Sequence, residues 1–283
     1  RVRSSAASDV YKRQVIDSYN VLNKISAFSD FSEDIVIPTM EECAKFSEEV
    51  LAPINAIGDQ QGATIKDGVV TMPEEFVDAY QKFAEAGWAS ISLPSDIGGG
   101  GMPITLSGGT LEILSTANLA FGLAPGLSAG AISAINFHGS QEQKDKFLPK
   151  LVSGEWTGTM NLSEPQSGSD LGTITTKAEP QEDGTYKITG TKVWITFGEH
   201  NMTENIIHLV LAKVPGSPEG TKGISMFIVP KNNVNDDGSV GDSNNVSCIS
   251  IEEKLGIHAS PTCVMEYDGS VGYLVGEENR GLN

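Results

Sequence analysis

The 283-residue chain is 39% apolar and 20% charged, and 37 acidic against 19 basic residues give it a net charge of −18. Such a surface repels a polyanionic backbone and argues against DNA or RNA partners, but backbone N–H groups can still cradle a phosphate-bearing ligand locally. The length suits two domains better than one core, and no apolar run approaches the ~20 residues of a membrane span, so a soluble protein is expected.

Residues 1–14, RVRSSAASDVYKRQ, have no apolar segment and no helical stripe, and read as a reading-frame scar or disordered lead-in. From Glu33 to about Ile57, apolar residues recur at steps of three and four between Glu and Lys, which predicts an amphipathic helix. Pro73 and Gly87 bracket a second helix, EEFVDAYQKFAEA. The apolar stretch Pro103 to Phe137 predicts one or two buried helices broken near Pro125–Gly126, and Ser140 with Gln143 forms a capping box for the next.

After Trp156 the period changes from 3.6 to 2. TGTMNL, TYKITGTKVWITFG, NIIHLVLAKV, GISMFIV and VSCISI predict strands of an antiparallel β domain, with Gly184 and Gly190 as turns and Asn232 to Asn245 as a long exposed loop. The expected architecture is α+β multidomain: an all-α unit over 15–155, then an antiparallel β-barrel or sandwich over 156–283. The end at Asn283, directly after strand-like YLVG, reads as cut rather than finished.

Cys43, Cys248 and Cys263 have neither disulfide-framework nor zinc spacing, which fits buried thiols and a reducing cytoplasm. The four histidines are scattered, and His208, inside an apolar strand, reads as a core or edge residue. The motifs of P-loops, nucleophile elbows, zincins and Rossmann folds are absent. Gly98–Gly101, lying between helices, reads as a flexible turn rather than a phosphate cradle. The informative stretch is NLSEPQSGSD, Asn161 to Asp170, where a strand gives way to a turn rich in hydroxyls. Its successive amides could hold a pyrophosphate, with Gly168 permitting positive φ or close approach, although Ser/Gly surface turns are common.

TMNLSEPQSGSD resembles the acyl-CoA dehydrogenase signature. HGSQEQKDKFLPKLVSGEW before it, GTKVWIT after it, then EKLGIHASPTC and YLVGEENRGL are similar in the same order, as are the helical part and LPSDIGGGGMP. The resemblance implies FAD as cofactor. Met160, Leu162 and Ser163 would lie along the flavin, Gly168 and Ser169 would approach its pyrophosphate and the acyl-CoA, and Trp194, Ile195 and Thr196 would border the isoalloxazine. Asn161 and Ser163 depart from the family pattern, where a small or apolar residue and Thr are usual.

The resemblance further implies α,β-dehydrogenation of an acyl-CoA, an electron-transfer flavoprotein as acceptor, and a homo-oligomer at full length. In the family the base is a Glu in a C-terminal helical domain absent from this sequence, so no catalytic residue is assigned, and Glu164 matches a structural acid. The stretch Phe121 to Ile132 would lie beside the acyl chain, with Gly122, Gly126 and Gly130 either leaving room or serving helix packing. NIIHLVLAK, GTKGISMFIVPK and EKLGIHASPTC resemble bacterial 3-methylmercaptopropionyl-CoA dehydrogenases and their long-chain relatives, which implies a short thioether substrate as first choice. An acyl-CoA oxidase of the same fold and a non-catalytic flavin- or acyl-CoA-binding module are the alternatives.

Overall fold

The structure, a computed structural model, describes residues 17–282. The lead-in expected at 1–14 lies outside the described residues. Helix α1 (Ser18–Leu22) precedes α2 (Glu33–Phe46), which continues through a π-helical turn at Ser47–Leu51 into α3 (Ala52–Gln61). The predicted helix is thus a continuous rod that runs on to Gln61, where Gly62 at φ 65° ends it. A short hairpin of β1 (Thr64–Lys66) and β2 (Val69–Thr71) follows, which helical periodicity did not announce.

Helix α4 (Glu74–Glu85) starts after Pro73 and stops before the left-handed Gly87, as its punctuation predicts. Its Phe76, Tyr80 and Phe83 form one stripe packed around Phe121. Burying an aromatic ring of this size contributes roughly 1.5–3 kcal/mol. The Gly98–Gly101 run is not a flexible turn: the amides of Gly99, Gly100 and Gly101 donate to the carbonyls of Pro94, Ser90 and Leu93 at 2.9 Å. The donors a phosphate would need are used inside the loop.

The apolar stretch forms α5 (Ile104–Ala117) and α6 (Leu119–His138), and the break falls at Asn118 instead of Pro125–Gly126. Asn118 is extended; its side-chain oxygen caps Phe121 N–H at 3.1 Å and its amide donates to Leu51 O at 3.3 Å. This local cap and tertiary tie decide the boundary, while Pro125 is carried within α6 by the burial of Phe121, Ala124, Ala131, Ile132 and Ile135. Helix α6 also corrects the expectation about apolar runs, since its 20 residues are long and apolar enough by length and composition to cross a membrane, although many of them are buried inside the fold. Helix α7 (Gln141–Ser153) opens with the predicted capping box, with both reciprocal bonds present.

The second half contains β3 (Trp156–Asn161), β4 (Lys177–Pro180), β5 (Tyr186–Thr196), β6 (Asn205–Lys213) and β7 (Ile224–Pro230). They are followed by β8 (Asn232–Val234), β9 (Val240–Ser243), β10 (Val246–Glu252) and β11 (Thr262–Val275). The main sheet is mixed, not purely antiparallel: β3 runs parallel to β6, from Trp156↔Asn205 to Asn161↔Val210, because a crossover through β4 and β5 separates them. Pairings β11–β5, β5–β4, β4–β6, β6–β7 and β7–β11 close a barrel, with β3 added outside β6 and β10 outside β11.

Two loop expectations change. Residues 232–245 contain the β8–β9 hairpin, and Gly190 sits within β5, where an added Cβ would lie 2.8 Å from Thr176 Cα, so its glycine serves a close backbone crossing rather than a turn. Gly184 is a turn residue, at φ 83°.

One core fills the barrel around Ile188, Ile195, Val210, Phe227 and Tyr267; another joins its outer face to α6 and α7 through Ile132, Leu151, Trp156 and Leu209. At that seam a Cβ on Gly158 would lie 2.5 Å from Ala131 Cβ, and Gly158 N–H donates to Ser128 Oγ at 3.0 Å. Helix α6 can therefore press directly onto β3. The three cysteines are free and buried as expected; the Cys248 thiol donates to Ser250 O at 3.3 Å and the Cys263 thiol to Glu199 O at 3.9 Å.

Candidate functional site

The structure sets the turn after β3 beside the end of β5. Val193 N–H donates to Ser163 O at 3.0 Å, and the Thr159 hydroxyl donates to Thr196 O at 3.0 Å. Opposite Cys263–Met265 of β11, β5 presents Lys192 to Ile195, one residue too many for a regular ladder, and this bulge holds Trp194 at φ 60°. A left-handed conformation costs a bulky residue roughly 1–2 kcal/mol. The bulge turns the indole outward, 53% exposed, instead of into a core.

The predicted residues divide as follows. Ser163, Trp194 and Thr196 meet at this junction, with Met160 and Leu162 half-buried on the same segment and packed toward the helices. Ile195 departs from expectation: its side chain is 2% exposed and fills the barrel core, because alternation along β5 turns it inward, so only its backbone is available at the surface. Gly168 and Ser169 are exposed on the loop rim. Gly168 does not adopt the positive φ considered for it, and an added Cβ would meet nothing within 4 Å, so the fold itself does not demand glycine there. The amides of Gly168 and Ser169 have no acceptor among the described residues.

Glu164 holds this turn in shape. Its carboxylate, 1% exposed, accepts from Thr175 N and Oγ1 (2.6 and 2.8 Å), Thr176 N and Oγ1 (3.0 and 2.6 Å), Gln166 Nε2 (2.7 Å) and Lys192 Nζ (2.9 Å). Burial pushes the carboxyl up, but the Thr176 hydroxyl, the Lys192 charge and the Thr175 amide together hold it down to about 2. Burial draws the Lys192 ammonium below its ordinary range while Glu164 pulls it back. Lys192 Nζ also donates to Leu162 O at 2.9 Å, so one buried ion pair ties the turn to the strand carrying Trp194. Glu164 has no capacity left for proton transfer.

Polar residues that sequence reasoning missed line the inner face of β3. Thr157 Oγ1 meets His200 Nε2 at 3.0 Å, and Asn161 meets Tyr267 Oη at 2.9 Å and His208 Nδ1 at 3.4 Å. His208 is a core residue as read, yet its Nε2 has no partner among the described residues, and burial drives both histidines down to about 3. The one available signal was Asn161 itself, polar where an apolar residue is usual.

Clefts flank the helices of the described residues. One of about 870 Å³ lies between α2 with its π turn and the segment from Ala86 to Met102. A smaller one of about 170 Å³ lies between Ile91, Leu93, α5 and the outer side of α6 at Gly126, Ala129 and Ser133. Gly122 is explained by packing, since a Cβ would lie 2.7 Å from Ser115 Oγ; Gly126 and Gly130 face open space.

Comparison with known proteins gives a consistent picture. Residues 38–155 match the acyl-CoA dehydrogenase N-terminal domain and residues 159–270 its middle domain. The chain is 48% identical over 258 residues to a 3-methylmercaptopropionyl-CoA dehydrogenase of Ruegeria pomeroyi, covering 91% of this chain and 44% of that protein. It is 39% identical over 266 residues to a butyryl-CoA dehydrogenase of Syntrophomonas wolfei, covering 91% and 43%. An acyl-CoA dehydrogenase from Bacillus anthracis, solved in complex with FAD, superposes with a TM-score of 0.71 at 26% identity, over 89% of this chain and 39% of that one. The chain thus spans less than half the length of these proteins, and it belongs to the acyl-CoA dehydrogenase family, carrying the N-terminal and middle domains.

Proposed function

We propose that this chain, with a helical domain over 15–155 and a β domain over 156–283, is the front part of an FAD-dependent dehydrogenase that introduces an α,β double bond into an acyl-CoA thioester. The observation that carries the reading is the junction of the Ser163 turn with the Trp194 bulge, where Val193 N–H bonds to Ser163 O beside an outward indole, and the same turn runs on to Gly168 and Ser169, whose amides have no acceptor among the described residues. These residues fit a flavin: Gly168 and Ser169 amides would bind its pyrophosphate, and the half-buried Ser163 and Thr196 would orient its polar edge. Trp194 would cover a ring face and exclude water from it. When bound, FAD supplies a hydride acceptor for the substrate's β hydrogen.

Gly168 and Ser169 would also meet the acyl-CoA. Because Glu164 is committed to Lys192 and two threonines, the base for the α proton must come from elsewhere, and a Glu from a further helical domain fills that role in this proposal. The relatives' names favour a short acyl group, with 3-methylmercaptopropionyl-CoA as first choice. An electron-transfer flavoprotein is the proposed acceptor, a homo-oligomer the proposed assembly, and the cytoplasm the proposed location.

The test is anaerobic mixing of the FAD-loaded full-length protein with 3-methylmercaptopropionyl-CoA or butyryl-CoA. Loss of the flavin visible band supports dehydrogenation. A protein that binds FAD and keeps its colour would be a non-catalytic module, and rapid reoxidation in air would make it an oxidase. Residues 1–283 alone should hold FAD weakly and turn nothing over.

A further inference from the structure

We propose that Asn161, Tyr267 and His208 form a buried positioning network that sets the flavin-facing edge of β3, an inference that rests on the FAD reading above. All three are at most 1% exposed, and they come from three strands, β3, β11 and β6. Tyr267 Oη donates to Asn161 Oδ1 at 2.9 Å, which fixes the amide's orientation and leaves Nδ2 facing His208 Nδ1 at 3.4 Å. An amide nitrogen only donates, so Nδ1 accepts and the imidazole proton sits on Nε2. The ring of His208 stands edge-on to Tyr267, with centroids 6.0 Å apart and planes at 85°.

Side chains alternate along a strand, so fixing Asn161 inward fixes Met160 and Leu162 outward. Asn161 is also the last residue of β3 before the Ser163 turn, so its two bonds act where the strand would otherwise fray. A packed apolar residue would hold position 161 by volume alone. The asparagine holds it by direction, bonded to one strand that pairs with β3 and to another that pairs with β5. The same strand β5 carries the Trp194 bulge, so the network couples the two walls of the candidate site from beneath. Among the described residues His208 Nε2 has no hydrogen-bond partner, so the barrel holds this buried polar group at a cost to stability.

The experiment compares Asn161→Leu, Tyr267→Phe and the double variant in the FAD-loaded full-length protein. It reads FAD dissociation by flavin fluorescence, the visible absorption maximum at full occupancy, and the urea midpoint. Each single change leaves a buried polar partner unsatisfied and should weaken FAD binding about tenfold, with a shifted flavin band. The double variant should be no worse than Asn161→Leu alone, because removing the Tyr267 hydroxyl as well leaves only His208 Nδ1 without its donor, as Asn161→Leu already does. Unshifted bands in every variant, with affinity following the urea midpoint alone, would overturn the proposal and leave an ordinary core contact. Additive losses in the double variant would overturn it as well. A wild-type protein that holds no FAD would overturn the flavin reading and this network with it. Tyr267→Phe removes a single oxygen and carries the test if Asn161→Leu does not fold.

Discussion

Replacing Glu164 by Gln keeps the shape of the turn and removes one charge. Lys192, fully buried, then loses its counter-ion, and one side-chain oxygen of the acceptor becomes a donor facing the N–H and hydroxyl donors of Thr175 or Thr176. Breaking a buried ion pair by removing one partner costs about 3–5 kcal/mol. The depression of the Glu164 carboxyl from 4.5 to about 2 leads independently to a similar size, about 3 kcal/mol. Against a stability of roughly 5–15 kcal/mol this is a large fraction, and it should lower Tm by on the order of 10 °C. The assay is urea unfolding at pH 7 followed by tryptophan fluorescence, since Trp156 is buried in the seam beside β6 and reports on that fold. A carboxyl held low stabilises above its unfolded pKa and loses that contribution as pH falls through the folded one. The gap between wild type and variant should therefore narrow below pH 4.5 and close toward 2. A double change, Glu164→Gln with Lys192→Met, should recover much of the loss. A Glu164→Gln midpoint equal to that of wild type would refute the argument.

Trp194→Gly should relieve the left-handed strain at φ 60° and leave the urea midpoint unchanged or slightly raised, while FAD binding is lost; retained FAD affinity would refute the role given to the indole. Gly158→Val should destabilise by more than about 2 kcal/mol in the same unfolding assay, because Ala131 is already closer to an added Cβ than any real contact allows. Burial holds His200 and His208 near 3, so below about pH 6.5 the unfolded chain binds protons that the folded chain refuses, and stability falls with pH. With both histidines titrating, the slope should approach about 2.7 kcal/mol per pH unit, and His208→Phe should halve it in urea titrations between pH 7 and 5.

What was legible in the sequence was whatever local chemistry decides by itself. The Ser140 capping box, the Pro73 and Gly87 punctuation, and the change of period at Trp156 each stand where they were read. The misplaced features depend on distant partners. Pro125 looked like the stronger breaker, but Asn118 is tied to Leu51, far away in the chain, and tertiary context chose it. The parallel β3–β6 pair has no signature in β3 itself, since direction follows from where the chain returns. In the candidate site, the motif included Trp194 and Ile195 together. Only the bulge opposite Cys263–Met265 separates them, sending one ring outward and the other side chain into the barrel. The Glu164 knot and the Asn161 network escaped for the same reason, because their partners come from other strands.

The span of β11 has a consequence for how the molecule is made. Residues 262–275 pair with β10, β5 and β7, so on a ribosome none of those strands gains its shared neighbour until nearly the whole described chain has been synthesised. The helical half can collapse early on local contacts, whereas the barrel waits with open edges, exposed to mispairing and to chaperones. Mutations that slow this final zipping should lower yield in cells more than they lower equilibrium stability.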